Sequence, residues 1–292
     1  FASLVNVSGL DSAAGVSTAG GRIRLLGSAD VALAGEVFGA LSPSGGAAVT
    51  VQAGGKLSLD GALLSGRDLE CGGTWMGLTA QGRLAMLTNV RSRVRPDPEA
   101  PSRGRIVPEW LSARESSDRF WMRTALSGHN GFNLIAADFL QGSCFWASNQ
   151  AAHPVRLGRG LYGLSNAGLD TPWPKVDALK ARMQAALDEA DSVDALSARL
   201  FAALADRHPA PADQLPDTGI GAERERWLSP AFIRSPDGSY GTRCSTLIVT
   251  ERVGRHALTH VLERSFSATG GVALLRRSLL RHWPPRYSDG QE

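Results

Sequence analysis

Long apolar runs are missing from this sequence: no stretch of eighteen hydrophobic residues occurs in its 292 positions, so nothing in it reads as a transmembrane helix. Cysteine is scarce. Cys71, Cys144 and Cys244 are an odd three with no C-x-x-C pair, which argues against a disulfide scaffold or a structural zinc site and suits a reducing, cytoplasmic compartment. The six histidines are scattered. His256 and His260 have the i, i+4 spacing of a helical metal pair, but they fall in a segment that reads partly as strand, with no third ligand nearby, so no metal is expected. No basic flank followed by an apolar stretch opens the chain, so no secretory signal is read. The first residue is Phe1 rather than Met, as in a processed chain or a fragment. One-sided charge is also lacking, the formal net charge being +3. Arg264, Arg276, Arg277, Arg281 and Arg286 crowd the end. No nucleic-acid-binding motif accompanies them, so residues 267–292 read as a solvated basic tail and no nucleic-acid partner is expected.

What is present is enough for a sizeable core, with 43% hydrophobic and 20% charged residues. Composition changes sharply near residue 63. Residues 1–62 hold 12 of the 33 glycines but no Trp, Tyr, Cys or His. They also repeat. Val5-x-Val7-x-Gly9 returns as Val31-x-Leu33-x-Gly35 and as Leu57-x-Leu59-x-Gly61, and Ile23-x-Leu25 returns as Val49-x-Val51, always 26 residues on. Alternating apolar residues closed by turn residues predict short strands, and a fixed period of this size is the mark of a β-solenoid coil. Residues 1–62 thus resemble the β-helical repeats of secreted filamentous-haemagglutinin-like adhesins.

From residue 63 the texture is that of a mixed domain. Thr74–Thr79 and Arg83–Asn89 predict a hairpin turning at Gln81-Gly82. Ser102 is a fair cap for a short helix through Leu111. Phe132–Phe139 and Ser143–Ser148 predict a second hairpin. Lys175–Asp191 predicts an amphipathic helix with Val176, Leu179, Met183 and Leu187 on one face. Ser192 caps a further helix to about Arg207. Ala231–Arg234, Thr242–Thr250 and Ala257–Glu263 predict strands. Helices lying between β blocks, without regular alternation, favour an α+β sandwich over a doubly wound sheet.

Six stretches are more particular than core filler. They are residues 64–75 (Leu-Ser-Gly-Arg-Asp-Leu-Glu-Cys-Gly-Gly-Thr-Trp), Leu87-Thr88-Asn89-Val90-Arg91, Ser102-Arg103-Gly104, Gly131-Phe132-Asn133-Leu134, Gly163-Leu164-Ser165-Asn166 with residues 169–175, and Tyr240-Gly241-Thr242-Arg243-Cys244-Ser245-Thr246. In this order they resemble the NRDE family, also called the transport and Golgi organization protein 2 family, over residues 63–266. The resemblance implies an N-terminal-nucleophile (Ntn) hydrolase-like αββα sandwich, N-terminally truncated and preceded by the short all-β, solenoid-like segment. Members begin Met-Cys and carry the Asn-Arg-Asp-Glu motif that names them. Residues 1–62 stand in that place without either.

An Ntn hydrolase cleaves an amide with the side chain of residue 1, using that residue's own α-amine as the base. Phe1 has no nucleophilic atom, and Cys71, Cys144 and Cys244 are internal, so the expected enzyme is impaired. Cys144 and Cys244 read as core thiols, although Arg243 beside Cys244 would lower its pKa. The resemblance extends to a branch in which two Asn and an Arg polarise the substrate carbonyl and orient the nucleophile. Asn89, Asn166 and Arg243 match those roles, or else Asn166 caps a turn and Arg243 bridges strands. Arg67, Asp68 and Glu70 read as an ion-pair knot, and Trp173 as packing. The family's association with haem and lipid handling implies a rival role, a non-enzymatic carrier of a small-molecule ligand, with haem as cargo rather than cofactor. A third reading is a chimera of an adhesin fragment and a truncated domain.

Overall fold

A computed structural model describes the strands between Val5 and Ser65, residues 73–267 and residues 269–285. In chain order the elements are β1 Val5–Val7, β2 Gly15–Ala19, β3 Arg22–Gly27, β4 Val31–Ala32, β5 Val37–Gly39, β6 Ala48–Ala53, β7 Leu57–Ser58 and β8 Leu63–Ser65. There follow β9 Met76–Thr79, β10 Arg83–Asn89, α1 Ile106–Ser112, α2 Ser117–Ala125, β11 Phe132–Asp138, β12 Ser143–Ser148 and β13 Val155–Arg156. The last are α3 Pro174–Glu189, α4 Val193–Leu204, α5 Ala222–Leu228, β14 Cys244–Val253, β15 His256–Phe266 and β16 Val272–Arg281. One sheet is ordered β13-β12-β11-β10-β9-β8 and another β14-β15-β16. This is a mixed α+β chain with antiparallel sheets.

The chain divides into two compact units. The first comprises residues 1–87, 101–129 and 134–145, and the second residues 88–100, 130–133 and 146–292. In the first, β3 pairs in parallel with β6, Ile23 opposite Val49 and Leu25 opposite Val51. β4 pairs in parallel with β7, Val31 opposite Leu57. Both registers equal the 26-residue repeat of the sequence. Identical phases of successive repeats stack, which is how a parallel ladder aligns like with like.

The β9–β10 hairpin forms as its alternation predicts, Leu78 opposite Leu84, with the Gly82 N–H closing on the Thr79 carbonyl at 3.0 Å. Trp110 of α1 is fully buried, its indole donating to the Leu84 carbonyl at 3.2 Å and its ring edge-on to Phe120 and Phe145. Arg83 fixes the end of that helix. Its guanidinium pairs with Asp138 at 3.1 Å and donates to the carbonyls of Trp110, Ala113 and Glu115. A helix C-terminus leaves carbonyls short of donors, and one planar fork reaches two of them, Trp110 and Ala113, together with the Glu115 carbonyl just beyond. Ser102 caps as expected, its Oγ accepting from the Gly104 N–H at 3.3 Å, although the turn it opens is a 3-10 turn that leads into α1.

In the second unit α4 packs on β14 through Phe201, Leu247 and Leu262, and β15 is flanked by β14 and β16 on its two edges. Several expectations need correction. Met183 and Leu187 of α3 are exposed, while Val176 and Ala186 are buried. The line facing inward passes through the small Ala186, which hydropathy alone does not favour. Residues 231–234 form no strand beyond a single bridge from Arg234 to Gly241. The basic segment past residue 267 contains β16, paired along β15. Arg67, Asp68, Glu70, Cys71 and Arg286 lie outside the described residues.

Gly73 and Gly104 join two of the six sequence motifs backbone to backbone. A Cβ on Gly73 would lie 2.4 Å from the Gly104 carbonyl carbon, and the Thr74 N–H donates to that carbonyl at 3.0 Å. Gly73→Ala is therefore expected to cost about 3 kcal/mol or more, since backbone cannot yield as a side chain can. Gly158→Ala, where a Cβ meets nothing within 4 Å, is expected to stay within about 0.5 kcal/mol. Urea unfolding of both variants checks the contrast.

Candidate functional site

Three motifs of the second unit converge on one buried amide. Asn133 of β11 is wholly inaccessible. Its Nδ2 donates to Thr88 Oγ1 at 3.2 Å and to the Ala167 carbonyl at 2.8 Å. Its Oδ1 accepts from the Trp146 indole at 3.2 Å. Thr88 passes the chain on, donating to the Ser165 carbonyl at 2.7 Å. A side-chain amide taken out of water is tolerated only with its bonds made, and here three of four are.

The network clamps a loop against the end of β10. Asn166 Nδ2 donates to the Asn89 carbonyl at 2.9 Å, while the Arg91 N–H donates to the Asn166 carbonyl at 2.7 Å. The loop is closed on itself by Asp170, which accepts from the Gly163 N–H at 2.8 Å and from Lys180 at 2.6 Å. Gly163 is required there, because a Cβ would lie 2.5 Å from Val176 Cγ1. The lysine and the Gly163 N–H together hold the Asp170 carboxyl below its usual range.

Asn166 thus reaches Asn89 through the latter's backbone carbonyl. The guanidinium in this cluster belongs to Arg91. Arg243 is exposed and lines a separate small depression with Tyr240 and Thr242. Its backbone carbonyl accepts from the Phe266 N–H at 2.8 Å. Arg91 lies over Trp173, 4.7 Å from the ring centroid, and 3.0 Å from the buried Glu225. That ion pair is close but poorly aligned. Arg91 Nε and Nη2 and Glu225 Oε2 have no hydrogen-bond partner among the described residues, and nor does Asn89 Oδ1. Glu225 Oε1, by contrast, accepts from both the N–H and the hydroxyl of Thr218. Burial pulls the Arg91 pKa down, with Glu225 and Tyr240 opposing.

Lys175 feels the same glutamate. Its Nζ donates to the Leu228 carbonyl at 2.8 Å and sits 5.9 Å from the Trp173 ring centroid. Loss of hydration, and next the charge of Arg91, push its amine down to about 8, with Glu225 pulling the other way. Lys175 also lines a depression of about 120 Å³, with Arg182, Asp206, His208, Ser229 and Pro230 among the other walls.

Both described thiols are harder to ionise than an ordinary cysteine. Burial raises the Cys144 pKa. Cys244 is solvent-exposed as a residue, yet packing first and Glu263 second raise its pKa too. Exposure limits the first effect, and the carboxylate sets the direction regardless. The lowering expected from Arg243 does not occur. His260 shares its two ring nitrogens with Glu251 and Arg277, and among the described residues no group of His, Cys, Asp and Glu has the arrangement of a metal site. None of the helices described is long and apolar enough to cross a membrane.

Sequence reasoning passed over Arg91, Lys175, Glu225 and Asn133. Arg91 and Lys175 lie within quoted motifs, and the two-residue period of an extended chain puts Arg91 in phase with Asn89. Glu225 had no comparable signal.

Two outcomes follow from this geometry. Asn133→Leu, close in volume, should cost about 3 kcal/mol because the Trp146 indole and the Ala167 carbonyl lose their partner in the interior. Lys175 has a folded pKa of about 8 against an ordinary 10.5. Between these values the unfolded chain binds a proton that the folded chain does not, so stability rises with pH, and below about 8 the cost of the buried charge is fully present. Lys175→Met should remove that rise, read as the difference in urea midpoint between variant and wild type across the window.

The chain is similar to known proteins over most of its length. The chain is 32% identical over 211 residues to the Transport and Golgi organization 2 homolog of Mus musculus, covering 68% of this chain and 75% of the relative. It is 36% identical over 242 residues to the Bos taurus homolog, covering 77% and 80%, and 34% identical over 244 residues to the Homo sapiens homolog, covering 77% and 81%. The sequence profile of the Transport and Golgi organisation 2 family matches residues 52–268. The chain belongs to the Transport and Golgi organisation 2 family.

Proposed function

We propose that the family domain of this chain binds a small acidic ligand in a transport role, and does not cleave amides through a thiol. The observation that carries the reading is the Arg91 cluster. A buried guanidinium, ion-paired through Nη2 with Glu225 at 3.0 Å and with Nε left without an acceptor among the described residues, lies on a Trp face, and a second basic residue, Lys175, is close enough to feel its charge. Buried donors without partners are the atoms that a ligand's carboxylate or phosphate completes, and Arg offers the planar fork for it. The raised thiols of Cys144 and Cys244 weigh against an internal nucleophile, since the thiolate is the reactive form. The names of the relatives point the same way, being those of transport and Golgi organization homologs. Haem propionates and fatty acyl carboxylates carry the acidic group this cluster fits, in keeping with the haem and lipid handling implied by the family resemblance.

We further infer that the two antiparallel sheets and their helices follow the Ntn-hydrolase-type architecture, with its amide-polarising asparagines kept as loop clamps. The parallel register of β3 with β6 and of β4 with β7 favours a solenoid of adhesin type for residues 1–62.

Titration with haemin, read at the Soret band, and with a fluorescent fatty acid tests the binding reading. Saturable binding of at least one is expected. Arg91→Lys keeps the charge opposite Glu225 but loses the fork, and should weaken binding about tenfold, or 1.4 kcal/mol. Equal affinity in the variant contradicts the assignment. Amide hydrolysis that disappears in Cys144→Ser or Cys244→Ser contradicts the non-enzymatic reading.

A further inference from the structure

The thirty-one basic side chains of this sequence include only three lysines, Lys56, Lys175 and Lys180. Lys56 lies outside the described residues. Lys180 is held by Asp170 at 2.6 Å. Lys175 has no carboxylate of its own. Its one hydrogen bond among the described residues is to a neutral carbonyl, that of Leu228. It also occupies the first turn of α3, just after Pro174, where the helix dipole disfavours a cation. Arg91 adds a like charge, and Glu225, drawn to Arg91, offsets it only in part. On the depression itself the charged groups are Arg182, Asp206 and His208. Asp206 takes both Arg182 and His208 as partners, so no carboxylate there is left to hold the amine protonated.

We propose that Lys175 is a reactive amine that condenses with a small aldehyde or α-keto acid in the depression it lines. The reaction needs no cofactor and no oxidant. The neutral Nζ lone pair adds to the carbonyl carbon, and the carbonyl oxygen takes up a proton to give a carbinolamine. Nitrogen then loses its proton and oxygen departs as water as the C=N bond forms. The sum is amine plus carbonyl giving imine plus water. The depression offers about 120 Å³, less than a drug-sized ligand needs, which restricts it to a carbonyl compound of a few heavy atoms. Arg182 on its wall favours a carbonyl compound that also carries an acid group. This inference does not rest on the ligand reading for Arg91, and either stands without the other.

The amine's lowered pKa supports the geometry, because it leaves a sizeable fraction of Lys175 neutral near pH 7.5 where an ordinary lysine is almost wholly protonated. Full-length protein is incubated with glyoxylate, reduced with borohydride to trap the imine, and mapped by peptide mass. Lys175 should be labelled at least about tenfold faster than Lys180 at pH 7.5, with the rate levelling off above about pH 8 while that of Lys180 still climbs. In denaturing urea the two should react alike, a comparison that needs no variant. Lys175→Arg should abolish the fast site and leave Lys180 unchanged. Acetaldehyde in place of glyoxylate should label the same site more slowly. Labelling of Lys175 no faster than Lys180 in the folded protein, or a selectivity that survives denaturation, overturns the proposal.

Discussion

The second unit depends on one side chain that has no water to fall back on. Asn133 is fully buried, and its amide is the only polar group that reaches Thr88, Ala167 and Trp146 together in the described hydrogen bonds. A buried amide with its partners made is neutral to stability or modestly favourable, but one left open costs the full desolvation of each orphaned group. That asymmetry makes the junction all-or-none. It joins separated stretches of unlike composition: Asn133 donates to Thr88, which donates in turn to the Ser165 backbone carbonyl.

The clamp sets the electrostatics. By holding residues 163–170 against the end of β10, it brings the Arg91 backbone to the Asn166 carbonyl and lays the Arg91 side chain over Trp173. A guanidinium stacked on indole keeps its charge while giving up water on one face. Glu225 balances it incompletely, and Lys175 resists protonation first because burial strips water from its amine and next because Arg91 adds a like charge.

Much of this was legible in residue order, and the rest fails for identifiable reasons. Hairpins at Gly82 and Gly142, the Ser192 cap and the 26-residue register follow from turn chemistry and period, which are local. Met183 and Leu187 were assigned to the core by spacing, but spacing cannot tell which of two adjacent stripes a neighbouring helix covers, and the small Ala186 allowed the other. β16 reads as a basic tail because its arginines dominate; strand pairing with β15 is a long-range choice that composition does not encode. Asn89 and Asn166 both sit in motifs, but the bond between them, to the Asn89 backbone carbonyl, is not encoded there. Arg243 was chosen over Arg91 because the resemblance, not the phase of the chain, supplied the arginine. Glu225 was invisible, since a lone glutamate in a polar helix has no mark until an arginine from elsewhere comes to rest on it.

A double-mutant cycle between Thr88→Val and Asn133→Leu tests the junction most directly. Each removal leaves the same hydrogen bond broken, so the two should overlap. The account predicts a coupling energy of about 1 kcal/mol or more in urea unfolding, with the double variant less destabilised than the sum of the singles. Strict additivity of the two substitutions would contradict it.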